Sequence, residues 1–467
     1  MTLTIMRKKA YCEAGADIFF MDNKRLFSNK QLLMLILPVI AEQFLTSLMG
    51  LADSMMVSNV NDYALGAVQL VDSINILVIQ AFAAIATGGV VICSHYIGQQ
   101  NLKRAKEAAE QVSLSAFLLS LFITVFCIVL KNPILDLTFG RVEEALMAEA
   151  RIYFFITILS FPGIALYSAG SAIYRAQGNT RLPLVISIAC NCINIAGNAV
   201  FIFVFNMGVA GAALATLISR WLSALVVYAF LRRRSELINI RDYRRLRTDP
   251  YLVRKVLGLG IPNGIENSMF QFGKLVIQSA VSAMGTIAIT AQAMTNIMEN
   301  LNGIAAVGVG IGLMTVAGQT MGAGRKKEAA YYIRKLSIWA EVFLTASCIL
   351  VFLAGGRITA IAGMNSESAK LCMYMVGWIT IIKPLFWVPS FVPAYGMRAA
   401  GDVRFSMLLS ISTMWFVRVG ITLTLVYFFH YMSPMAVWIG MFSDWFVRGV
   451  FYTIRLRSMK WAGHRVT

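Results

Sequence analysis

Two carboxylates stand inside a stretch that is otherwise apolar and long enough to cross a bilayer. Glu42 follows Leu37-Pro38-Val39-Ile40-Ala41, Asp53 follows Gly50-Leu51-Ala52, and the stretch runs on to Asn59. Their spacing of eleven residues is about three helical turns, so both project from one side of a helix, roughly 16 Å apart along its axis. An acid held in hydrocarbon costs about 2.5–3.5 kcal/mol on insertion scales, and so faces a bundle interior or a water-filled path. There it can exchange a proton or a small cation. The plainer reading sets the two acids at opposite headgroup layers. Asn191, Asn194 and Asn198 recur at three and four residues and line one helix face. Such amides serve as hydrogen-bond glue between helices at about 0.6 kcal/mol each. In one bundle with Asp53 they also supply neutral oxygens for a cation.

A second polar set lies further on. Glu266, Lys274, Glu299 and Lys383 all fall within apolar spans, where they either pair with each other or take part in transport. Met269, Phe270, Met294, Met298, Trp378, Phe386 and Trp387 lie in the same spans. With Glu42 they form the expected substrate-lining set: methionine adapts to varied shapes, and aromatic faces attract organic cations by about 0.5–2 kcal/mol. Pro384, Pro389 and Pro393 mark a bend that neighbouring helices must satisfy. Arg220 and Arg418 read as structural.

The elements that position these residues follow from composition. The 467-residue chain is 58% apolar and only 14% charged, against about 25% charged in soluble domains. Ser73–Leu102, Gln111–Leu130, Leu182–Ser219, Asn300–Gly324 and Val419–Ser443 contain no Asp, Glu, Lys or Arg. About 20 such residues cross the hydrocarbon core as a helix. The runs are continuous rather than alternating, which excludes barrel strands. Twelve spans are expected, near 31–58, 64–97, 105–130, 147–174, 182–204, 209–231, 256–283, 286–320, 328–354, 370–397, 405–429 and 434–454.

The net charge of +18 is no nucleic-acid signature, because Lys and Arg gather in alternate loops: Lys103, Arg104 and Lys106; Arg175 and Arg181; Arg325, Lys326 and Lys327; Arg398 and Arg404; and the central run from Arg232 to Arg247. Opposite loops hold little beyond Lys131, Arg141 and Arg357. By the positive-inside rule both termini are cytoplasmic. The seven cysteines read as packing residues, and His95, His430 and His464 form no ligand cluster. Residues 1–20 differ from the rest, and Met21 leads directly into the first span, so Met21 is a candidate start.

The chain also repeats. At an offset of 224, Pro38 matches Pro262, Glu42 Glu266, Ala64 Ala288, Gly88 Gly312, Gly98 Gly322 and Ala105 Ala329; at 223, Arg175–Arg181 matches Arg398–Arg404. Two six-helix halves are therefore parallel repeats about an axis along the membrane normal. The expected division is a tail 1–30, a first bundle 31–231, a basic linker 232–255, a second bundle 256–454 and a basic tail 455–467. Like halves around a central cleft suit alternating access. Gly308-Val309-Gly310-Ile311-Gly312 has no strand before it, and Gly273-Lys274 is no phosphate loop. An ATP-driven pump is excluded on that ground.

These motifs resemble the multidrug and toxic compound extrusion (MATE) family. Tyr174-Arg175-Ala176-Gln177-Gly178-Asn179-Thr180-Arg181-Leu182-Pro183 resembles the family's signature between its fourth and fifth spans. Ser94-His95-Tyr96-Ile97-Gly98-Gln99-Gln100-Asn101 resembles the close of its second span, and Gly208-Val209-Ala210-Gly211-Ala212-Ala213 the opening of its sixth. The resemblance implies an all-α membrane protein, twelve helices in two bundles, exporting organic cations or other amphiphiles against Na+ or H+. It implies no enzyme activity and no cofactor beyond the coupling ion. Its cation-coupling set falls on Asp53, Asn194, Asn198 and Thr216. Asn198 stands where the family often has Asp, which leaves one carboxylate and three neutral donors for Na+ or a proton. A seventh-span acid used by some members lies further along than Glu266. A monomer in the inner or plasma membrane is expected. The rival readings are a lipid-linked precursor flippase, which wants a wide basic cavity, and a receptor or scaffold that does not transport.

Overall fold

A computed structural model describes residues 25–58, 60, 63–140, 142–233, 236–240, 248–464 and 466. Met1, Met21, Asn59, Arg141, Arg234, Arg241, Arg244, Arg245 and Arg247 lie outside the described residues. Among the described residues the regular structure is all helical, with twelve main segments. The first half comprises α1 (Asn29–Val57), α2 (Ala64–Gly98), α3 (Leu102–Val129), α4 in two pieces (Glu144–Ile158 and Phe161–Ala176), α5 (Arg181–Val204) and α6 (Gly208–Leu231). The second comprises α7 (Pro250–Ser282), α8 (Thr286–Gly322), α9 (Lys326–Ile361), α10 (Ser366–Ala399), α11 (Val403–Phe428) and α12 (Met435–Arg457). A short helix, Lys131–Phe139, joins α3 to α4.

Local chemistry sets the ends. Ser28 opens α1 with a reciprocal capping box to Gln31. Asn101, Asp249 and Asn365 accept from the first turns of α3, α7 and α10. The turns closing α4 and α10 place Gly178 at φ 80° and Gly401 at φ 93°, a region open to glycine at no steric cost. By length and apolarity nine described helices can cross a membrane, or ten with bent α4 counted as one. The other two, α7 and α12, are long enough but interrupt their apolar runs with polar residues, charged ones included. In α12 that charge cancels internally, since buried Arg448 binds Asp444 at 2.9 Å.

Three features depart from the sequence reading. The fourth span is not one rod: it bends by 45° between Ile158 and Phe161, with Pro162 in the first turn of the second piece. Secondly, α5 and α11 end in π-helical turns, Ala199–Val204 and Thr424–Phe428. Thirdly, described residues of the tails and linker pack onto the helices. Phe27 bonds Tyr332 on α9 through its backbone, Ile238 donates to Gln177, and Trp461 is fully buried. Of the described cysteines, Cys192 is exposed rather than packed.

The halves meet along α1, α2, α7 and α8, at one end only. A Cβ on Gly98 would lie 2.1 Å from the Gln319 carbonyl oxygen, and one on Gly322 2.2 Å from that of His95. No side chain fits there. His95 Nε2 donates to the Ala399 carbonyl at 2.7 Å, and Gln319 Nε2 to that of Ala176 at 2.7 Å. These are one contact made twice, since 95 and 319 differ by 224 and 176 and 399 by 223. Towards the other end, the last side-chain bonds between halves among the described residues are Asn263–Thr87 and Asn267–Gln80. Beyond them Phe44, Leu48, Phe272 and Leu275 stand exposed, and the halves diverge.

Candidate functional site

Asp53 lies in the last turns of α1, half-buried and turned into the first bundle. Asn198 on α5 donates to its Oδ1 at 2.7 Å. One turn earlier, the Asn194 amide lies 2.9 Å from the same oxygen. The orientation its neighbours satisfy puts the amide nitrogen towards Asp53. With nitrogen towards Asp53 it donates to the carboxylate and accepts from the Thr216 backbone N–H at 3.3 Å. Turned over, its nitrogen would face Thr216 Oγ1 and Ser219 Oγ on α6, and its oxygen the carboxylate oxygen. The first setting pairs every donor with an acceptor. The second places two oxygens side by side, as a cation requires. Asn194 and Asn198 are buried, and the π turn that follows Asn198 is a backbone feature frequent at functional sites.

The structure thus brings Asp53, Asn194, Asn198 and Thr216 together. Asn191, on the expected polar face, does not join: its Nδ2 is buried without a partner. Glu42 does not face the cleft in this conformation. It is 4% exposed, Arg175 grips both its oxygens at 2.8 and 2.9 Å, and Tyr167 donates to it.

The second-bundle set divides. Glu266 pairs with Arg398, not with either lysine. Lys383, fully buried, pairs with Glu299 and also reaches Asn302. Lys274 is exposed and belongs to neither pair. Among the expected lining residues, Met269, Phe270, Met294 and Phe386 are half-buried, and Trp378 is exposed beside Tyr374 and Ile381. Trp387 stacks on Phe391 at 4.8 Å. Met298 is fully buried in this conformation, its methyl group near Gly355 of α9. A cavity of about 400 Å³ between α2 and α3 is walled by apolar residues such as Leu77, Phe122 and Phe126, and none of the site residues borders it.

Sequence reasoning missed Asp72 and Asn75 on α2 and Tyr153 on α4. Asn75 donates to Asp72 at 3.2 Å, and Tyr153 reaches the same carboxylate. Arg220, read as structural, donates to Ser160 at the α4 break and acts electrostatically on both Asp53 and Asp72. The available signal was Asp72 and Asn75 three residues apart on one helix face.

Two like six-helix bundles, closed together at one end and holding a half-buried carboxylate among amides, define a membrane transporter. The MatE family model matches the chain twice, over residues 38–200 and 262–424, the second match displaced by the 224 residues of the internal repeat. The chain belongs to the MATE family of multidrug efflux transporters. It is 29% identical to the uncharacterized transporter YisQ of Bacillus subtilis over 91% of this chain and 93% of that protein. Identity to the probable multidrug resistance protein NorM of Thermotoga maritima is 24%, over 92% and 93%. Among solved structures, MATE in complex with MaL6 superposes with a TM-score of 0.85 at 18% identity, covering 92% of this chain and 97% of that one. A mutant of the Vibrio cholerae MATE transporter VcmN gives 0.85 at 17%, over 93% and 98%. The protein is a multi-pass membrane transporter and not an enzyme.

Proposed function

We propose that this transporter exports cationic or amphiphilic small molecules in exchange for Na+ or H+, taken up at Asp53. The observation that carries the reading is the Asp53 carboxylate, bound by amides and, among the described residues, by no cationic side chain in direct contact. Such a group gains most from an added cation, because an unpaired charge in a bundle is costly. Loading would turn the Asn194 amide over, so that its oxygen, the carboxylate and the Thr216 hydroxyl face the ion.

The rocking units are 31–231 and 256–454, joined by the basic segment 232–255. With the basic loops inside, both termini are cytoplasmic, the His95 and Gln319 contacts form the cytoplasmic seal, and the cleft opens outward. Cation loading from outside then favours release of substrate there. A ligand shifts such an equilibrium only by its difference in affinity for the two states, which is why the coupling group must be one whose partners change. The half-buried Met269, Phe270, Met294 and Phe386, with exposed Trp378, are the proposed substrate surface. Small molecules are the expected partners, and a monomer suffices.

The test is Asp53→Asn in proteoliposomes loaded with a fluorescent organic cation such as ethidium. Gradient-driven export should fall to background under imposed Na+ and H+ gradients alike, with the folded protein retained in the membrane. Driven export equal to the wild type at matched expression overturns the proposal.

A further inference from the structure

Asp53 has a second acid near it in the first bundle. Asp72, on α2, lies close enough to act on it directly, and Arg220 on α6 acts on both. Among the described residues, Arg220 makes no direct ion pair. Its guanidinium is held by Ser160 Oγ at 2.8 Å, and it balances the two acids through space. Each acid takes an N–H from a buried asparagine: Asn198 for Asp53 and Asn75 for Asp72. The Oδ1 atoms of both asparagines are buried and have no donor, although Asn198 is only 1% and Asn75 only 2% exposed. Each orphan acceptor belongs to the same amide group whose nitrogen binds a carboxylate. Buried acceptors are rarely left so. Two of them beside two carboxylates point to a cation.

The charges count simply. A guanidinium does not lose its proton in a protein, so Arg220 cancels one acid and leaves one negative charge over. We infer that Asp72 and Arg220 are positioning residues that set the cation affinity and the one-cation capacity of the Asp53 site: Asp72 occupies the field of Arg220, so that Asp53 is left to the transported ion. Without Asp72, Arg220 would neutralise Asp53 from within the protein and take the ion's place. Without Arg220, two acids would share the ion. This inference rests on the Asp53 reading above, and adds to it a direction of effect for each residue.

The experiment uses the full-length protein in nanodiscs. Thermal unfolding is followed against NaCl at constant ionic strength with choline chloride, and separately against pH in the absence of Na+. A cation that binds only the folded state raises the midpoint, so the half-saturating cation concentration can be read without transport. Asp72→Asn should weaken cation binding and Arg220→Gln should strengthen it, each by at least about tenfold. The double variant, with net charge restored, should return close to the wild-type value. Asp72→Glu, which keeps the charge, should stay near wild type and keeps the test decisive if Arg220→Gln does not fold. A purely structural role would destabilise every variant without opposite shifts in affinity. If the wild type responds to a cation and D72N responds identically, or if both single variants shift the same way, the inference is overturned. If the wild type responds to neither cation, it falls together with the Asp53 reading.

Discussion

In the first half, Glu42 on α1 is gripped by Arg175 at the end of α4; in the second, Glu266 on α7 is gripped by Arg398 at the end of α10. In the first half His95 caps the carbonyl of Ala399; in the second Gln319 caps that of Ala176. These paired contacts are duplicated down to the residue offset. Elsewhere the halves part. Ile277 stands 224 residues after Asp53, and Glu299 stands 224 after Asn75. The second half keeps a carboxylate at that level but binds it to Lys383, which lies 223 after Ser160. A duplicated contact thus serves a need both halves have, docking and hinging. An unduplicated one marks where they differ: in the second half an acid paired with Lys383, and in the first an acid bound by amides, the proposed ion site.

The largest expected effect lies in the duplicated seal. Gly98→Ala or Gly322→Ala drives a methyl group into a backbone carbonyl of the opposite half, which cannot yield as a side chain would. Gradient-driven ethidium flux should be lost to the same extent in both, since the two contacts are equivalent. A variant with full flux would show that the seal need not close.

Next come the duplicated ion pairs. Glu42→Gln leaves Arg175 buried without its counter-charge and should cost about 3–5 kcal/mol of stability. Glu266→Gln should fall at the lower end of that range, because only one of its oxygens is bonded. Thermal unfolding in nanodiscs ranks them, and the opposite order would mean that the second pair carries more than its geometry suggests.

The smallest effect sharpens the comparison. His95→Ala removes one inter-half hydrogen bond and should cost about 1 kcal/mol, as should Gln319→Ala. His95→Gln places the second half's own residue at the matching position, and its flux and melting midpoint should stay close to wild type. A defect in H95Q equal to that of H95A would show that the imidazole does more than its mate.

How far this was legible in sequence follows from the range of each signal. The spans and the repeat were readable because apolar runs and constant offsets are one-dimensional. Asn194 and Asn198 were readable from their spacing of four, and Asp53 from its isolation in an apolar run. The Glu42–Arg175 pair was not, because 133 residues separate its members and Arg175 read as a loop charge on the cytoplasmic side. Asp72 was missed because it borders the charge-free run that begins at Ser73 and was not counted with it, although it falls inside the expected span 64–97. The split of the second-bundle set was half visible: Glu299 and Lys383 do pair, but Glu266 chose an arginine that only the repeat could have nominated. The bend in α4 had Pro162 as its local mark, outweighed by a continuous apolar stretch.

The central claim is that coupling resides in the first half alone. One side-by-side measurement tests it most directly: Na+- and H+-driven ethidium export in proteoliposomes by the wild type, by Asp53→Asn, and by the second-half double variant Glu299→Gln/Lys383→Met, which removes both members of an internally neutral pair. The expected result is that D53N abolishes the driven component while E299Q/K383M retains ion-dependent export. Loss of ion dependence in the double variant, with D53N still coupled, would place the coupling in the second half and contradict the account.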